Sequence, residues 1–132
     1  MTFTVFGTPA PQGSKRHVGN GVMIESSKKV KPWREAVKFA ALEANPSNGG
    51  FDGAVVCDIT FTLARPAAAK KRLYPATKPD LDKLIRSTFD ALSDVGLWED
   101  DSRVVSVCAS KVYVGGVGAL HTAGAVITVQ PA

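Results

Sequence analysis

Between Lys78 and Arg103 the chain reads KPDLDKLIRSTFDALSDVGLWEDDSR, with seven carboxylates (Asp80, Asp82, Asp90, Asp94, Glu99, Asp100, Asp101) of the twelve in the whole 132-residue sequence. Carboxylates at this density either cap and solvate a helix or gather around a hard cation. Asp80 and Asp82 fall at a helix start, where Asp80 can accept from free backbone N–H groups and both gain from the positive end of the dipole. Asp82 and Arg86 have the i,i+4 spacing of a surface ion pair, which contributes only about 0.3–0.5 kcal/mol. Glu99, Asp100 and Asp101 follow Trp98 and precede a strand, a place where a rigid frame can bring loop carboxylates toward a helix end. If Asp80, Asp82 and the Asp100/Asp101 pair converge, their repulsion needs a cation to offset it. Oxygen ligands without imidazole or thiolate select Mg²⁺, with Mn²⁺ as a substitute.

Aspartates holding such an ion beside a basic surface suit phosphodiester hydrolysis. Residues 1–79 carry twelve Lys/Arg against five acids, whereas residues 80–132 carry four against seven, which sums to the net charge of +4. The cations cluster in GSKRH, SKKVK and KKR, which makes Lys15, Arg16, Lys28, Lys29, Lys31, Lys70, Lys71 and Arg72 candidate phosphate contacts. A solvated basic face is the competing explanation of the same charges. Arg86, one turn after Asp82, is the first candidate for stabilising charge that builds on the reacting phosphate, and Lys83 the second. The sequence contains no P-loop and no Gly-x-Gly-x-x-Gly pattern, so a nucleotide cofactor has no support. Neither cysteine has a histidine in a recognisable nucleophilic arrangement, and His17 and His121 read as surface residues.

The elements that must position these groups follow from periodicity. TFTVFG at the start alternates as a strand, and the Gly, Pro and cation-rich stretch after it reads as a mobile surface loop. A short strand is expected around GVMIES. A helix should run from Pro32 to about Ala44, with Trp33, Val37, Ala40, Ala41 and Ala44 inward. From Ala54 to Leu63 one face carries Val55, Cys57, Ile59, Phe61 and Leu63, and the other Asp58, Thr60 and Thr62, a half-buried strand. RPAAAKKRLYPATKP lacks periodicity and is expected as an extended basic arm. The second helix spans about Asp80 to Ser93 on the stripe Leu81, Leu84, Ile85, Phe89, Leu92. A strand from about Arg103 to Val114 and a last strand, AVITVQ, are expected to pair as a hairpin across the glycine-rich turn.

The length suits one domain, residues 1–132, with a single core. An apolar share of 45% and a charged share of 21% are those of an ordinary globular protein. No apolar run reaches the roughly 20 residues of a membrane span, and the N-terminus alternates where a signal peptide would be continuous. No membrane association and a cytoplasmic location are therefore expected. Cys57 and Cys108 lie in alternating apolar segments without zinc spacing and read as reduced core thiols.

The segments Asp80-Leu-Asp82-Lys-Leu-Ile-Arg86, Asp90-Ala-Leu92 and Trp98-Glu-Asp100-Asp101-Ser-Arg-Val-Val105, in this order, resemble the RusA-type Holliday junction resolvases of phages, prophages and bacteria. About 28 residues carry the match closely, and the flanking layout agrees in outline. The resemblance implies a small α+β fold in β-α-β-α-β-β order, with two main helices and a mixed sheet of about four strands. It implies a homodimer that binds branched DNA, a four-way junction, and nicks two strands symmetrically with Mg²⁺ or Mn²⁺ in a bacterial or phage-infected cell. By motif position Asp80, Asp82 and Asp101 are the metal-binding aspartates, Asp100 is a neighbouring acid, and the family's catalytic lysine falls on Arg86. A guanidinium stays protonated near neutral pH, so Arg86 acts by charge and not as a proton donor. Lys83 stands where an amide is common in the family and can share that role. A less selective flap or fork nuclease, and a junction-binding protein without catalysis, are the alternatives.

Overall fold

A computed structural model describes residues 1–12, 28–47 and 49–132, together with the backbone of residues 15–17 and 23–25. Among the described residues six strands and two α-helices follow in chain order: β1 (Thr2–Phe6), β2 (Lys15–His17), β3 (Met23–Glu25), α1 (Val30–Ala44), β4 (Val55–Leu63), α2 (Leu81–Asp94), β5 (Val104–Tyr113) and β6 (Gly124–Pro131). β1, β6, β4 and β5 form one mixed sheet in that spatial order, and β2 pairs with β3 in a separate two-stranded ribbon. The expected α+β class, with its β-α-β-α-β-β order and four-strand sheet, is what the chain adopts.

β4 and β5 run parallel, and α2 is the crossover between them. That connection fixes the positions of the acids. The helix starts near the C-terminal end of β4 and ends where β5 begins, so its two ends lie at opposite ends of the sheet. β6 runs antiparallel to both β1 and β4. It does not form the expected hairpin with β5, because residues 114–123 cross the end of β4 and deliver β6 to its other edge.

The core lies on the helix-facing side of the sheet. Val55, Cys57, Ile59 and Phe61 of β4, Ala125, Ile127 and Val129 of β6, and Phe3 and Val5 of β1 pack under Trp33, Val37, Ala41, Leu84, Ala91 and Leu92. Each fully buried aliphatic side chain of this kind stabilises the fold by about 1.5–3 kcal/mol before entropy is counted. The Trp33 indole N–H donates to Thr88 Oγ1 at 3.1 Å and ties α1 to α2 inside the core. Thr88 in turn donates to the Leu84 carbonyl at 2.8 Å. Ser87 donates to the Ala10 carbonyl at 2.6 Å and so anchors the segment after β1 onto α2. Hydroxyls satisfied in this way let α2 bury Ser87 and Thr88 beside Leu84, Ala91 and Leu92, a face turned slightly from the purely apolar stripe.

Several expectations are corrected. α1 begins at Val30, two residues before Pro32, and Ala44, expected inward, is exposed in its last turn. Of the loop expected after β1, residues 8–12 are docked, Pro9 and Ala10 being buried and the Gln12 N–H donating to the Lys83 carbonyl at 3.0 Å, while residues 13–14 and 18–21 lie outside the described residues. The arm after β4 folds on itself through a 3₁₀ turn at Ala67–Ala69, held by Arg65 donating to the Ala69 and Arg72 carbonyls. Thr62 is buried because the turn after β5 covers it, the Leu120 N–H donating to its hydroxyl at 3.0 Å. Cys57 is a buried thiol as expected, but Cys108 is exposed. It shares the face away from the helices with Asp58, Thr128 and Gln130, around a shallow depression.

Candidate metal and nucleic-acid site

Asp80 precedes α2 in an extended conformation, and its backbone carbonyl accepts from the Leu84 N–H at 3.1 Å. Its side chain makes no capping hydrogen bond, contrary to the capping reading. The carboxylate instead stands 3.7 Å from Lys83 Nζ, with half of its surface in solvent. Asp82 occupies the first turn and is exposed. The Asp82–Arg86 ion pair does not form, and neither residue enters any ion pair among the described residues. The start of α2 therefore presents two carboxylates with oxygens uncommitted to caps, and Arg86 lies one turn further along the helix.

This end of the helix is also where the cations gather. A cleft of about 270 Å³ lies beside it, lined by Pro79, the residue before Asp80, and by Lys29, Lys78, Leu63 and Tyr113 among others. The Lys111 ammonium donates to the carbonyls of two lining residues, Thr77 and Pro79, both at 2.9 Å. Arg65 stacks over the Tyr113 ring at 4.4 Å, and Arg72 donates to the Tyr113 hydroxyl at 3.2 Å. Lys28, Lys29, Lys31, Lys70, Lys71 and Arg72 are exposed, as phosphate contacts must be. The side chains of Lys15 and Arg16 lie outside the described residues.

Asp101 stands at the other end of α2. Its carboxylate accepts from the Ser93 hydroxyl and, at 3.3 Å, from the Trp98 indole N–H, which also donates to Ser93 Oγ at 2.7 Å. Trp98 is itself buried and packs edge-on against Phe89, with ring centroids 5.4 Å apart, so the support under Asp101 is rigid. Eleven residues separate Asp82 from Ser93, about 16 Å along a helix axis. Asp80 and Asp82 are thus brought together, and Asp101 is not brought to them within one chain. Among the described residues no group of three or more His, Cys, Asp or Glu is close enough to share a metal ion.

What Asp101 does meet is Asp90. Partial burial pushes the Asp90 carboxyl above its ordinary value, the Asp101 charge and a hydrogen bond between the two carboxyls push the same way, and Arg34 opposes them. Asp90 belongs to the D-A-L segment of the motif, but sequence spacing assigned it no role, because a residue eight positions after Asp82 is not recognisable as the neighbour of a loop acid. Asp100, by contrast, spends its carboxylate locally. It caps the 3₁₀ turn Asp101–Arg103 by accepting from the Ser102 N–H at 2.9 Å, and the hydrogen bonds from Ser102 hold its pKa below the usual range. Glu99 pairs with Arg103.

The donor chemistry at the helix start fits a small hard cation, since Mg²⁺ is commonly held by one or two carboxylates with water and substrate phosphate completing its shell. Two acids thus stand at a helix start, on a small α+β frame, beside a cleft that Lys29 and Lys78 border. The chain belongs to the RusA endodeoxyribonuclease family, whose description, Endodeoxyribonuclease RusA, matches residues 7–120. It is also 32% identical over 126 residues to the uncharacterized protein YqaN of Bacillus subtilis (strain 168), a match that covers 86% of this chain and 87% of that one.

Proposed function

We propose that this protein is a structure-selective, metal-dependent endonuclease that resolves four-way DNA junctions by paired symmetric nicks. The observation that carries this reading is the placement of Asp80 and Asp82 at the start of α2, next to a cleft bordered by Lys29 and Lys78. Membership in an endodeoxyribonuclease family supports it. Asp80 and Asp82 would hold Mg²⁺ or Mn²⁺, which would supply Lewis acidity for hydrolysis of the phosphodiester, and Asp101, which its own chain leaves at the other end of α2, is the further ligand expected by motif position. Arg86 holds a permanent positive charge on the same side of the helix and stabilises charge building on the phosphate. Lys83 restrains Asp80, and the exposed lysines of residues 28–31 and 70–72 position the DNA backbone without reading sequence.

A four-way junction with two-fold symmetry is cut at two places, and a C2 homodimer presents two identical sites in matching orientation. The substrate is recognised by shape, and the cytoplasm of a bacterial or phage-infected cell is where such DNA is met. No described helix is long and apolar enough to cross a membrane. The test is Asp82→Asn assayed for both binding and cleavage. Junction binding should persist while cleavage falls by at least about a hundredfold, the scale of losing one preorganised group that stabilises transition-state charge. A variant that cuts like the wild type overturns the assignment.

A further inference from the structure

The arm between β4 and α2 is anchored on either side of a bare tip. Arg65 donates to the Ala69 carbonyl at 3.0 Å and to the Arg72 carbonyl, and it stacks over the Tyr113 ring. Arg72 donates to the Tyr113 hydroxyl at 3.2 Å, and Ala69 and Pro75 are buried. Between these anchors Leu73 is 73% and Tyr74 67% exposed. Among the described residues they are the one sequence-adjacent pair of large hydrophobics that both stand in solvent. The Ala76 N–H donates to the Tyr74 carbonyl at 2.8 Å, so the backbone of the tip is turned and fixed. An apolar tip displayed on an ordered mount and rimmed by charge has the form of an interaction site.

The rim identifies the partner. Lys70, Lys71 and Arg72 precede the tip and Lys78 follows it, all of them exposed, and residues 59–79 contain no acid. Cations around an exposed aromatic ring suit an unpaired nucleic-acid strand, whose phosphates take the charge while a base face takes the ring. The tip also lies close to the acids of the site. Pro75 and Lys78 line the same cleft as Pro79, and Asp80 follows Tyr74 by six positions. Six residues of extended chain span at most about 22 Å. That is roughly six nucleotides along one strand at about 3.4 Å each.

We propose that Leu73 and Tyr74 form a wedge that stacks on bases unpaired at the branch point, and that this wedge selects a branched substrate over a linear duplex. This rests on the junction-endonuclease reading above and names the substrate feature that is recognised. In a linear duplex every base face is covered by its neighbours, so insertion carries the full cost of unstacking. Where strands exchange between arms the stack is already interrupted, and that cost falls. Stacking on an aromatic ring tolerates any base, so the wedge reads shape and not sequence.

The test combines changes in protein and DNA, read as affinity by gel shift in EDTA so that no cut intervenes. Tyr74→Ala, alone or joined to Leu73→Ala, should weaken binding to an intact four-way junction by about 10–100-fold, the scale of losing one stacked base. The same variants should bind a linear duplex like the wild type and melt at the same temperature. Tyr74→Phe, which keeps the ring, should keep the affinity. On a junction with abasic branch-point nucleotides the wild type should bind as weakly as Tyr74→Ala, and the substitution should cost nothing more. Equal weakening on junction and duplex would make the tip a backbone contact, and unchanged junction affinity would leave it to a protein partner; either overturns the proposal. So does a full loss on the abasic junction. A protein that shows the coupling but never nicks leaves the wedge standing while the nuclease reading fails. A wild type that binds the junction no tighter than the duplex overturns both.

Discussion

Asp82 lies in the first turn of α2, and Asp101 is tied by its carboxylate to Ser93 in the last, so one helix of 14 residues holds the two apart. The separation follows from topology. A parallel β4–β5 pair requires a crossover, and a crossover helix running back along the strands points its ends toward opposite ends of the sheet.

Ser93 and Trp98 hold the Asp101 carboxylate, so if Asp101 is the metal ligand proposed above, loosening that support should impair catalysis without harming DNA binding. Ser93→Ala should lower cleavage by about 10–100-fold, the range for losing a group that orients a metal ligand, with junction affinity and melting temperature nearly unchanged. Single-turnover cleavage and a gel-shift titration on the same preparation check this. Equal loss in both would mean that Ser93 serves the fold alone.

An ion held only by the folded acids raises stability by RT ln(1 + [L]/Kd), about 2.7 kcal/mol at a hundredfold excess over Kd. Mg²⁺ should therefore raise the melting temperature, EDTA should reverse the shift, and Asp82→Asn should abolish it. Thermal scans with and without ion decide the matter, and an unchanged shift in the variant would place the ion elsewhere.

Burial, and then the nearby Asp58 charge, push the Cys57 thiol from 9.0 up to about 12. Below pH 9.0 the thiol is neutral in both states. As pH rises from there toward 12 the unfolded chain ionises while the folded one does not, so stability falls across that window. At pH 8 a thiol reagent should label one cysteine per native chain quickly, Cys108, and the second only on unfolding. Rapid labelling of Cys108→Ser would contradict this burial.

Thr88→Val keeps the shape of the side chain but leaves the Trp33 indole N–H without its acceptor inside the core. The expected cost is about 1–3 kcal/mol, the desolvation penalty of one buried donor. Urea unfolding should show a lower midpoint at an unchanged slope.

Junction affinity should fall with salt, and Lys70→Ala or Lys71→Ala should each reduce the log–log slope by about one if that lysine contacts a phosphate. Unaltered slopes would make the arm an ordinary solvated face.

Local patterns made much of the molecule legible. β4 was marked by strict alternation from Val55 to Leu63, and α2 by the spacing of Leu84, Ile85 and Leu92, since each pattern is written within one element. The acids of the motif could be named for the same reason. Their grouping could not be, because whether Asp101 meets Asp82 or Asp90 depends on where the crossover lands. Pairing of β6 with β4 was hidden likewise: a glycine-rich turn between two strands permits a hairpin but does not exclude a neighbour brought from more than 60 residues earlier. Cys108 looked like a core residue because alternation does not distinguish a central strand from an edge strand carrying a bulge. Asp80 looked like a cap, whereas Lys83 takes up its carboxylate.

The most direct measurement is cleavage of an end-labelled synthetic four-way junction with Mg²⁺ or Mn²⁺, alongside a linear duplex and a flap of matching sequence. Paired symmetric nicks confined to the junction, and lost with EDTA, are the predicted result. Equal cutting of all three substrates would contradict junction selectivity, and tight junction binding without a nick under either ion would contradict the proposed catalytic function.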